Sequence, residues 1–548
     1  MSNRLQADVV IVGAGIAGAL AAARLAEAGL QVLILEAGKP VDRARAVQTF
    51  WDAPVKVPEC AYPVQPEAVH PTTDRLREWY QQSGPDLFKS TYLKVVGGTT
   101  WHWLGTSLRL LPSDFQTHSL FGRGVDWPVS YAELEPYYLH AEHELGVAGD
   151  AEHDLGSPRS GPFALPPIPQ TFVDLSLEKA LAGTRFEVRA TPQARNSVVH
   201  DQRPPCCGSS SCIPVCPIQA KYDATVHLKK AQAAGARLLD QSTVVQLIPD
   251  AQGRITSARF RHWDQSEGEV QATVFVLACH AIETPRLLLA SRSGAWPDGL
   301  ANRSGQVGRN LMDHPIQLSW ALTRDPVYPY RGPISTSGIE NLRDGAFRRE
   351  RSAYRIEIGN EGWNWPTGAP LSLAADLAGR GLNAAQMNEA LARETARHIR
   401  LGALTEQLPE AENRVTLDPS KKDVYGVPLP HIQYRVDDYT HRGMEQARHD
   451  HQEIFTHLHA TEIQHAPEFF GAGHIMGTCR MGTDAQQAVV DAQLCSHDHD
   501  NLYILGSSVF PTGGTANPTL TIAALSLRAA AAIAQRAGGG LQQSRASA

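Results

Sequence analysis

The chain has 548 residues with 42% hydrophobic and 20% charged content, which is typical of a globular enzyme and too long for one simple core. Its net charge of −7 lacks the positive excess that nucleic-acid binding requires, so we expect no nucleic-acid partner. The longest uncharged apolar stretch, residues 9–23, is too short to cross a bilayer, so we expect no direct membrane insertion. We also expect no export signal ahead of the first predicted strand.

The first predicted elements form a nucleotide-binding β–α–β unit. Residues 8–12 have the apolar, β-branched composition of a buried parallel strand, an alanine-rich helix follows, and a second strand ends at Glu36. Three glycines with G-x-G-x-x-G spacing lie between the first strand and the helix: Gly13, Gly15 and Gly18. In this pattern the glycines allow a tight turn, close approach of a pyrophosphate and close helix packing, and the acid binds ribose hydroxyls. The unit predicts an adenine dinucleotide, either NAD or FAD.

Later segments favour FAD over NAD. No second complete glycine fingerprint occurs for a separate NAD domain, whereas several distant segments carry small residues suited to wrapping one large cofactor. These segments contain further candidate cofactor-binding residues: Gly97, Gly98, Thr99, His102, Gly506, Ser507 and Thr519. We therefore predict an α/β fold with a Rossmann-like, doubly wound FAD-binding domain built on a parallel sheet.

The domain boundaries follow from where these motifs lie. We expect residues 1–325, which include insertions and a cysteine-rich segment at 203–220, and residues 471–540, with the catalytic loop, to form the FAD-binding domain. Residues 326–470 lack fingerprint glycines and are typical of a substrate-binding cap, so the second domain is a discontinuous α+β domain. Residues 541–548 are expected to be a disordered tail.

The predicted cap contains polar and aromatic side chains of the kind that bind sugars. They are Tyr330, Arg355, Asn360, Trp363 and Trp365. A structural role is the more common one for each of these residues, so the sequence assigns none of them to the site.

Four cysteines lie within eleven residues: Cys206, Cys207, Cys212 and Cys216. Such density is typical of a disulfide knot, a zinc site or an iron–sulfur cluster. The last two cysteines and the proline after them have the C-x3-C-P spacing of a bacterial ferredoxin run, whereas zinc sites usually pair cysteines as C-x2-C. A disulfide between the adjacent Cys206 and Cys207 would be strained. The spacing therefore favours a cluster, with either Cys206 or Cys207 as the upstream ligand.

Six motifs in this order resemble the glucose–methanol–choline (GMC) oxidoreductase family over nearly the whole chain. They are the glycine fingerprint and residues 97–100, 283–285, 307–315, 474–482 and 514–521. More narrowly, residues 192–196, the cysteine run and residues 97–103 resemble the catalytic subunits of bacterial membrane-bound, FAD-dependent sugar dehydrogenases of the fructose and glucose dehydrogenase type. The chain departs from that subgroup at residues 478–481, which resemble the wider family instead.

The resemblance implies a reaction, cofactors and partners. The reaction is oxidation of a hydroxyl of a sugar, sugar alcohol or sugar acid by hydride transfer to flavin N5, with His474 as base and Asn517 as the second active-site residue. A neutral imidazole suits this task because its ordinary pKa lies near working pH. The resemblance also implies a [3Fe-4S] cluster, a small chaperone-like subunit and a multihaem cytochrome c subunit.

Several alternatives stay open at this stage. His102 stands where some family members attach a histidine covalently to the flavin, so covalent and noncovalent FAD both remain. A GMC-type alcohol oxidase or quinone-linked dehydrogenase without a cluster is the alternative function, and a non-catalytic electron-transfer subunit is a second. We expect the periplasmic face of the inner membrane, reached with a co-exported partner subunit, and a cytoplasmic enzyme is the alternative.

Overall fold

The computed structural model describes residues 5–52, 80–90, 92–209, 211–360 and 371–546. Its strands, numbered in chain order, are β1 Leu5–Val12, β2 Val32–Leu35, β3 Gln81–Ser83, β4 Val188–Ala190, β5 Arg237–Leu239, β6 Ser242–Pro249, β7 Ile255–His262, β8 Glu267–Leu277, β9 Pro315–Leu322, β10 Ser337–Ile339, β11 Tyr354–Gly359, β12 His398–Thr405, β13 Arg414–Lys422, β14 Pro428–Gln433, β15 Thr461–His465, β16 Phe470–Gly471 and β17 Leu502–Ile504. Its α-helices are α1 Ile16–Glu27, α2 Arg43–Asp52, α3 Thr117–Phe121, α4 Tyr131–Leu145, α5 Phe172–Ala180, α6 Thr225–Ala233, α7 Glu283–Ala290, α8 Leu371–Gly379, α9 Ala384–Thr395, α10 Asp438–His457 and α11 Thr519–Ala546. Short 3₁₀ helices lie at Gly98–Trp101, Pro112–Gln116, Ala346–Arg349 and Ser507–Val509.

The first sheet carries the predicted nucleotide-binding unit. Its strands run in the order β5-β2-β1-β8-β7-β6, and β17 also pairs with β8. The pairs among β5, β2, β1, β8 and β17 are parallel, whereas β6 and β7 add an antiparallel extension at one edge. Every residue of β2 is buried, as expected of a strand covered on both faces. The alanine-rich α1 packs against α6 and α11. The predicted Rossmann-like α/β fold is confirmed.

A second sheet forms the other half of the molecule. Its strands run in the order β15-β9-β12-β11-β10-β4, with β16 also paired to β9, and every pair is antiparallel. Apolar residues of this sheet pack against α5 and α10 in a core of their own. A small third sheet joins β13, β14 and β3.

The structure differs from the expected boundaries in two places. The second sheet includes β4 and β9, which precede residue 326, because strands distant in sequence pair through backbone hydrogen bonds that leave no local sequence signal. The last helix, α11, runs to Ala546, so residues 541–546 are helical rather than a disordered tail. This segment contains no proline and consists largely of residues that favour helices.

No helix in the described part of the chain combines the length and the apolar character needed to span a bilayer.

Candidate active site

The glycine turn after β1 leaves open space at the start of α1. Gly13 has a φ of +102°, and an added Cβ would lie 2.5 Å from the carbonyl oxygen of Ala278. An added Cβ on Gly18 would collide with the carbonyl oxygen of Gly13, so α1 can pack on the turn only with glycine there. An added Cβ on Gly15, by contrast, would meet no atom within 4 Å beyond its chain neighbours. Because Gly15 directly precedes α1, an anion in this space would face the helix N-terminus.

Glu36 is held rigidly at the end of β2. One carboxylate oxygen accepts a hydrogen bond from the backbone N–H of Ala14 at 2.8 Å, and the other accepts from the backbone N–H of Gly38 at 2.8 Å. Only 6% of Glu36 is exposed. These bonds fix the carboxylate beside the glycine turn, where the sequence predicted an acid that binds ribose hydroxyls.

One cavity of about 1160 Å³ joins this turn to the predicted catalytic residues, His474 and Asn517. Its volume exceeds the range of roughly 300–1,000 Å³ common for small-molecule sites, as a dinucleotide together with a substrate would require. The predicted cofactor-binding residues that line it are Gly13, Gly15, Glu36, Gly98, Thr99, His102, Gly506, Ser507 and Thr519. Residues separated by hundreds of positions in sequence thus border one space that fits FAD.

Gly18 and Gly97 are the predicted cofactor-binding residues that do not line this cavity. Gly97 has a φ of +98° and starts the turn into the 3₁₀ helix Gly98–Trp101. That turn brings Gly98 so close to the glycine fingerprint that an added Cβ would lie 3.1 Å from Cα of Gly15. Gly18 and Gly97 therefore shape the wall of the cavity through the backbone without lining it.

The two predicted catalytic residues contact each other through their side chains. Nε2 of His474 lies 3.2 Å from Nδ2 of Asn517. Nδ1 of His474 lies 2.8 Å from Nδ1 of His314, and the backbone N–H of His474 donates to a carboxylate oxygen of Asp313 at 2.8 Å. The same oxygen accepts from the backbone N–H of His314 at 2.7 Å, so Asp313 aligns both histidines.

The hydrogen-bond network assigns the tautomer of His474. Arg355 can only donate, and its Nη1 lies 3.4 Å from Oδ1 of Asn517, so the amide nitrogen of Asn517 faces His474. That nitrogen also can only donate, so Nε2 of His474 must carry the lone pair. The ring proton then lies on Nδ1 and is donated to His314. His474 therefore has an unprotonated nitrogen, as a general base requires.

Burial keeps this histidine pair uncharged. Burial, with the nearby Arg355, lowers the pKa of His474 well below its usual value of 6.5. Burial also lowers the pKa of His314 to about 4. Both rings are consequently neutral near pH 7, and His474 is ready to accept a proton.

Two members of this network received no role from the sequence. Asp313 and His314 lie within the family motif at residues 307–315, and a carboxylate directly before a histidine in that motif was the available signal.

Of the predicted cap residues, Tyr330 lines the cavity, whereas Asn360 donates to the backbone carbonyls at positions 331 and 333. Trp363 and Trp365 lie outside the described residues.

The four cysteines of the cysteine-rich segment line a second, much smaller cavity together with Arg195. Sγ of Cys206 accepts from the backbone N–H of Gly208 at 3.4 Å, and Cys207 is exposed. Sγ of Cys212 accepts from Nη2 of Arg195 at 3.4 Å, and Sγ of Cys216 accepts from the backbone N–H at position 221 at 3.5 Å. The four thiols are free. In the described ranges, no three or more His, Cys, Asp or Glu side chains are grouped closely enough to hold a metal ion.

Two buried cations adjoin these cysteines. Arg195 is 1% exposed, and its Nε and Nη1 have no hydrogen-bond partner. Nζ of Lys221 donates to the backbone carbonyls of Cys212, Trp101 and Trp103, and burial lowers the pKa of Lys221 to about 8. A buried guanidinium with unpaired N–H groups is costly unless an anion lies nearby. The buried cations therefore favour a negative charge beside these cysteines.

The fold and the site define an FAD-dependent oxidoreductase that acts on CH–OH groups. A family model described as FAD dependent oxidoreductase matches residues 8–100, and two models described as GMC oxidoreductase match residues 180–316 and 409–526. The chain is 39% identical to the fructose dehydrogenase large subunit of Gluconobacter japonicus, covering 97% of this chain and 99% of that one. The chain therefore belongs to the GMC oxidoreductase family.

Two further proteins are similar to this chain. The paromamine 6'-oxidase of Streptomyces fradiae is 30% identical, with 96% of this chain and 91% of that one covered. The crystal structure of pyridoxine 4-oxidase from Mesorbium loti matches with a TM-score of 0.62 at 19% identity, covering 95% of this chain and 98% of that one. At that identity the solved structure supports the fold alone.

Proposed function

We propose that this protein oxidises a hydroxyl group of a sugar or related polyol, with His474 as base and Asn517 as the residue that orients the substrate. The observation that carries the proposal is the neutral His474 with an unprotonated Nε2 on the cavity that begins at the glycine turn. Similarity to the fructose dehydrogenase large subunit and to paromamine 6'-oxidase supports a sugar-type substrate. Bound FAD supplies the hydride acceptor.

The geometry of His474 indicates which atom would accept the proton of the substrate hydroxyl. Nε2 accepts the proton of the substrate hydroxyl, and Nδ1–H keeps its hydrogen bond to His314, which stabilises the imidazolium as it forms. The amide of Asn517, whose oxygen is held by Arg355, donates toward the same point and orients the hydroxyl oxygen. His314 and Asp313, which contact His474 from behind, are buried, so the Nδ1 side of the ring faces protein rather than water.

We also propose how the two domains divide these tasks. The residues that would bind FAD are Gly13, Gly15, Gly18, Glu36, Gly97, Gly98, Thr99, His102, Gly506, Ser507 and Thr519. The second sheet and its helices would form the substrate cap, because strands β9, β11 and β12 all contribute side chains to the cavity.

A [3Fe-4S] cluster is the second proposed cofactor, held by Cys206, Cys212 and Cys216. Each of these three sulfurs accepts an N–H hydrogen bond, as thiolate ligands of iron commonly do, whereas Cys207 is exposed. The buried Arg195 beside them would balance the negative charge of the cluster. When bound, the cluster supplies one-electron chemistry, which suits transfer to a cytochrome c.

The position of the cysteine segment supports this assignment. Ile213 and Pro214, which lie between two of the ligating cysteines, line the large cavity, while the cysteines line the small one. Nζ of Lys221 joins the cysteine segment to the backbone on both sides of His102. The two cofactor sites would therefore share a wall.

Partner subunits and location complete the proposal. The name of the Gluconobacter relative describes a large subunit, which supports a complex with a small chaperone-like subunit and a multihaem cytochrome c. Such a complex would work at the periplasmic face of the inner membrane, and fractionation of cells that express all the subunits tests that location.

Spectroscopy of the purified protein tests the enzymatic part. We expect anaerobic addition of a sugar or polyol to bleach the flavin absorbance, and we expect iron analysis to find a cluster. His474→Ala should slow the bleaching by roughly 10²–10⁴-fold, while His449→Ala, at an exposed histidine, should leave it unchanged. Rapid oxygen uptake by a protein that contains no iron would instead support the alcohol oxidase alternative.

A further inference from the structure

The proposed cap sheet has two contrasting faces. Ile339, Ile356, Ile358 and Leu401 point into the apolar core shared with α5 and α10. The register of the strands places a different set of residues on the other face, because side chains alternate along each strand. On β10, β11 and β12 that set includes Gly338, Arg355, Glu357, Gly359, Arg400, Gly402 and Leu404, and Glu340 follows directly after β10. The second face is therefore charged, although its charged residues are buried.

The charges on this face alternate in sign. A carboxylate oxygen of Glu340 lies 2.9 Å from Nη2 of Arg355, whose Nη1 lies 3.6 Å from Oε2 of Glu357. Oε1 of Glu357 in turn lies 3.5 Å from Nη2 of Arg400. These acids and bases alternate, with the buried Arg343 as a further base 4.0 Å from Glu340, and the two contacts of Glu357 are longer than a close ion pair.

Three glycines on the same face make room for these side chains. An added Cβ on Gly338 would lie 2.5 Å from Oε1 of Glu340, and one on Gly359 would lie 2.5 Å from Nε of Arg400. On Gly402, a Cβ would lie 2.9 Å from Nη1 of Arg400. None of the three has a positive φ, so the backbone does not require glycine there. Glycine in a strand lowers stability, so the space it leaves for the charged groups is the feature that explains it.

This face borders the active site. Glu357 and Arg400 line the large cavity together with His474 and Asn517. Arg355 connects the two groups, because its Nη1 contacts both Oδ1 of Asn517, at 3.4 Å, and the carboxylate of Glu357, at 3.6 Å. A substrate oriented by Asn517 would therefore extend along Glu357 and Arg400.

We propose that Glu357 and Arg400 together bind adjacent hydroxyl groups of a neutral polyhydroxylated substrate, an inference that rests on the proposed function. A hydroxyl both donates and accepts, so neighbouring hydroxyls can donate to the carboxylate of Glu357 and accept from the guanidinium of Arg400. The carboxylate of a sugar acid would meet Glu357 beside Arg400, and the ammonium of an aminosugar would meet Arg400 and Arg355 beside Glu357. The alternating charges thus select neutral sugars and polyols over both charged classes.

Substitution of Glu357 tests this selectivity. Wild-type enzyme, Glu357→Gln and the control Glu389→Gln, at an exposed position on α9, are assayed by dye reduction with fructose, glucose, sorbitol, gluconate and glucosamine. The wild type should prefer one of the neutral compounds. For that compound, Glu357→Gln should raise KM about tenfold to a hundredfold with a smaller change in kcat. It should also raise kcat/KM for gluconate relative to the neutral compound, which general damage to the fold would not do.

The possible outcomes distinguish a failure of this inference from a failure of the proposed function on which it rests. If no sugar or polyol reduces the enzyme, the proposed function fails and the inference fails with it. If the wild type prefers gluconate or glucosamine, the function stands and the inference is overturned. An unchanged KM in Glu357→Gln, or an equal loss on neutral and charged substrates, also overturns the inference while leaving the function intact.

Discussion

Replacement of His314 by leucine tests the network that fixes the protonation state of His474. In the wild type, Nδ1–H of His474 donates to His314 over 2.8 Å. Leucine removes the acceptor and leaves a buried donor unsatisfied, which costs about 1–3 kcal/mol. If that cost falls on the transition state, where Nε2 gains its proton, the limiting rate of flavin reduction should drop by roughly 5- to 150-fold. His314→Gln retains an acceptor oxygen and should lose much less.

The pH profile provides an independent measurement. Because the neutral His314 accepts from Nδ1–H, it stabilises the protonated form of His474, so its removal should lower the pKa of His474 further. A base works only while it is unprotonated, so activity is lost as pH falls through its pKa. The acid limb of kcat/KM should therefore move to lower pH in His314→Leu. Equal flavin content and thermal stability in both variants would establish that the fold is intact.

Two results would refute the role given to His314. One is a leucine variant with the wild-type limiting rate and an unshifted acid limb. The other is an equal loss in the leucine and glutamine variants, because the acceptor oxygen would then be irrelevant.

Three further predictions concern the cofactors. Gly15→Ala should fold but bind FAD several-fold more weakly, because its methyl group fills the open space at the start of α1. Gly18→Ala should also lower thermal stability, because its methyl group pushes α1 off the turn. Flavin content measures FAD binding, and melting curves measure stability. Cys206→Ser should lose iron and visible cluster absorbance while Cys207→Ser keeps both, and the reverse pattern would reassign the ligand. Burial, with Lys221 second, lowers the pKa of His102 to about 3, so its imidazole is neutral and able to bond to carbon. We expect flavin to stay attached after acid denaturation of the wild type and to be released from His102→Ala; free flavin from the wild type would exclude the link.

The residues of the nucleotide-binding unit were the easiest to predict from the sequence. The glycine fingerprint and the acid after the second strand were predictable, because pyrophosphate binding needs open backbone at one helix start, a local requirement. Asn517 was assigned only through family resemblance, because before a proline and a threonine its local pattern by itself favours a helix cap. The cysteine spacing favoured an iron–sulfur cluster and left Cys206 and Cys207 equivalent, and the structure places all four cysteines on one small cavity.

The remaining features depend on strand pairing that no local pattern records. Strands β4 and β9, which precede the expected cap boundary at residue 326, pair with strands of the second sheet that lie later in the chain. Arg355 looked no different from other arginines until the sheet placed it between Asn517 and Glu357. The preference of Cys206 over Cys207 likewise emerged from burial and a single N–H contact.

The sequence by itself determined the nucleotide-binding unit and the cysteine-rich segment, because each depends on residue types at short, fixed spacing. His474 was proposed as the base through family resemblance. Only the tertiary structure decided the tautomer of His474 and the charged face of the cap. Both depend on which donors and acceptors meet in a buried space, where hydrogen bonds between residues far apart in the chain set the proton position and the sign of the charge.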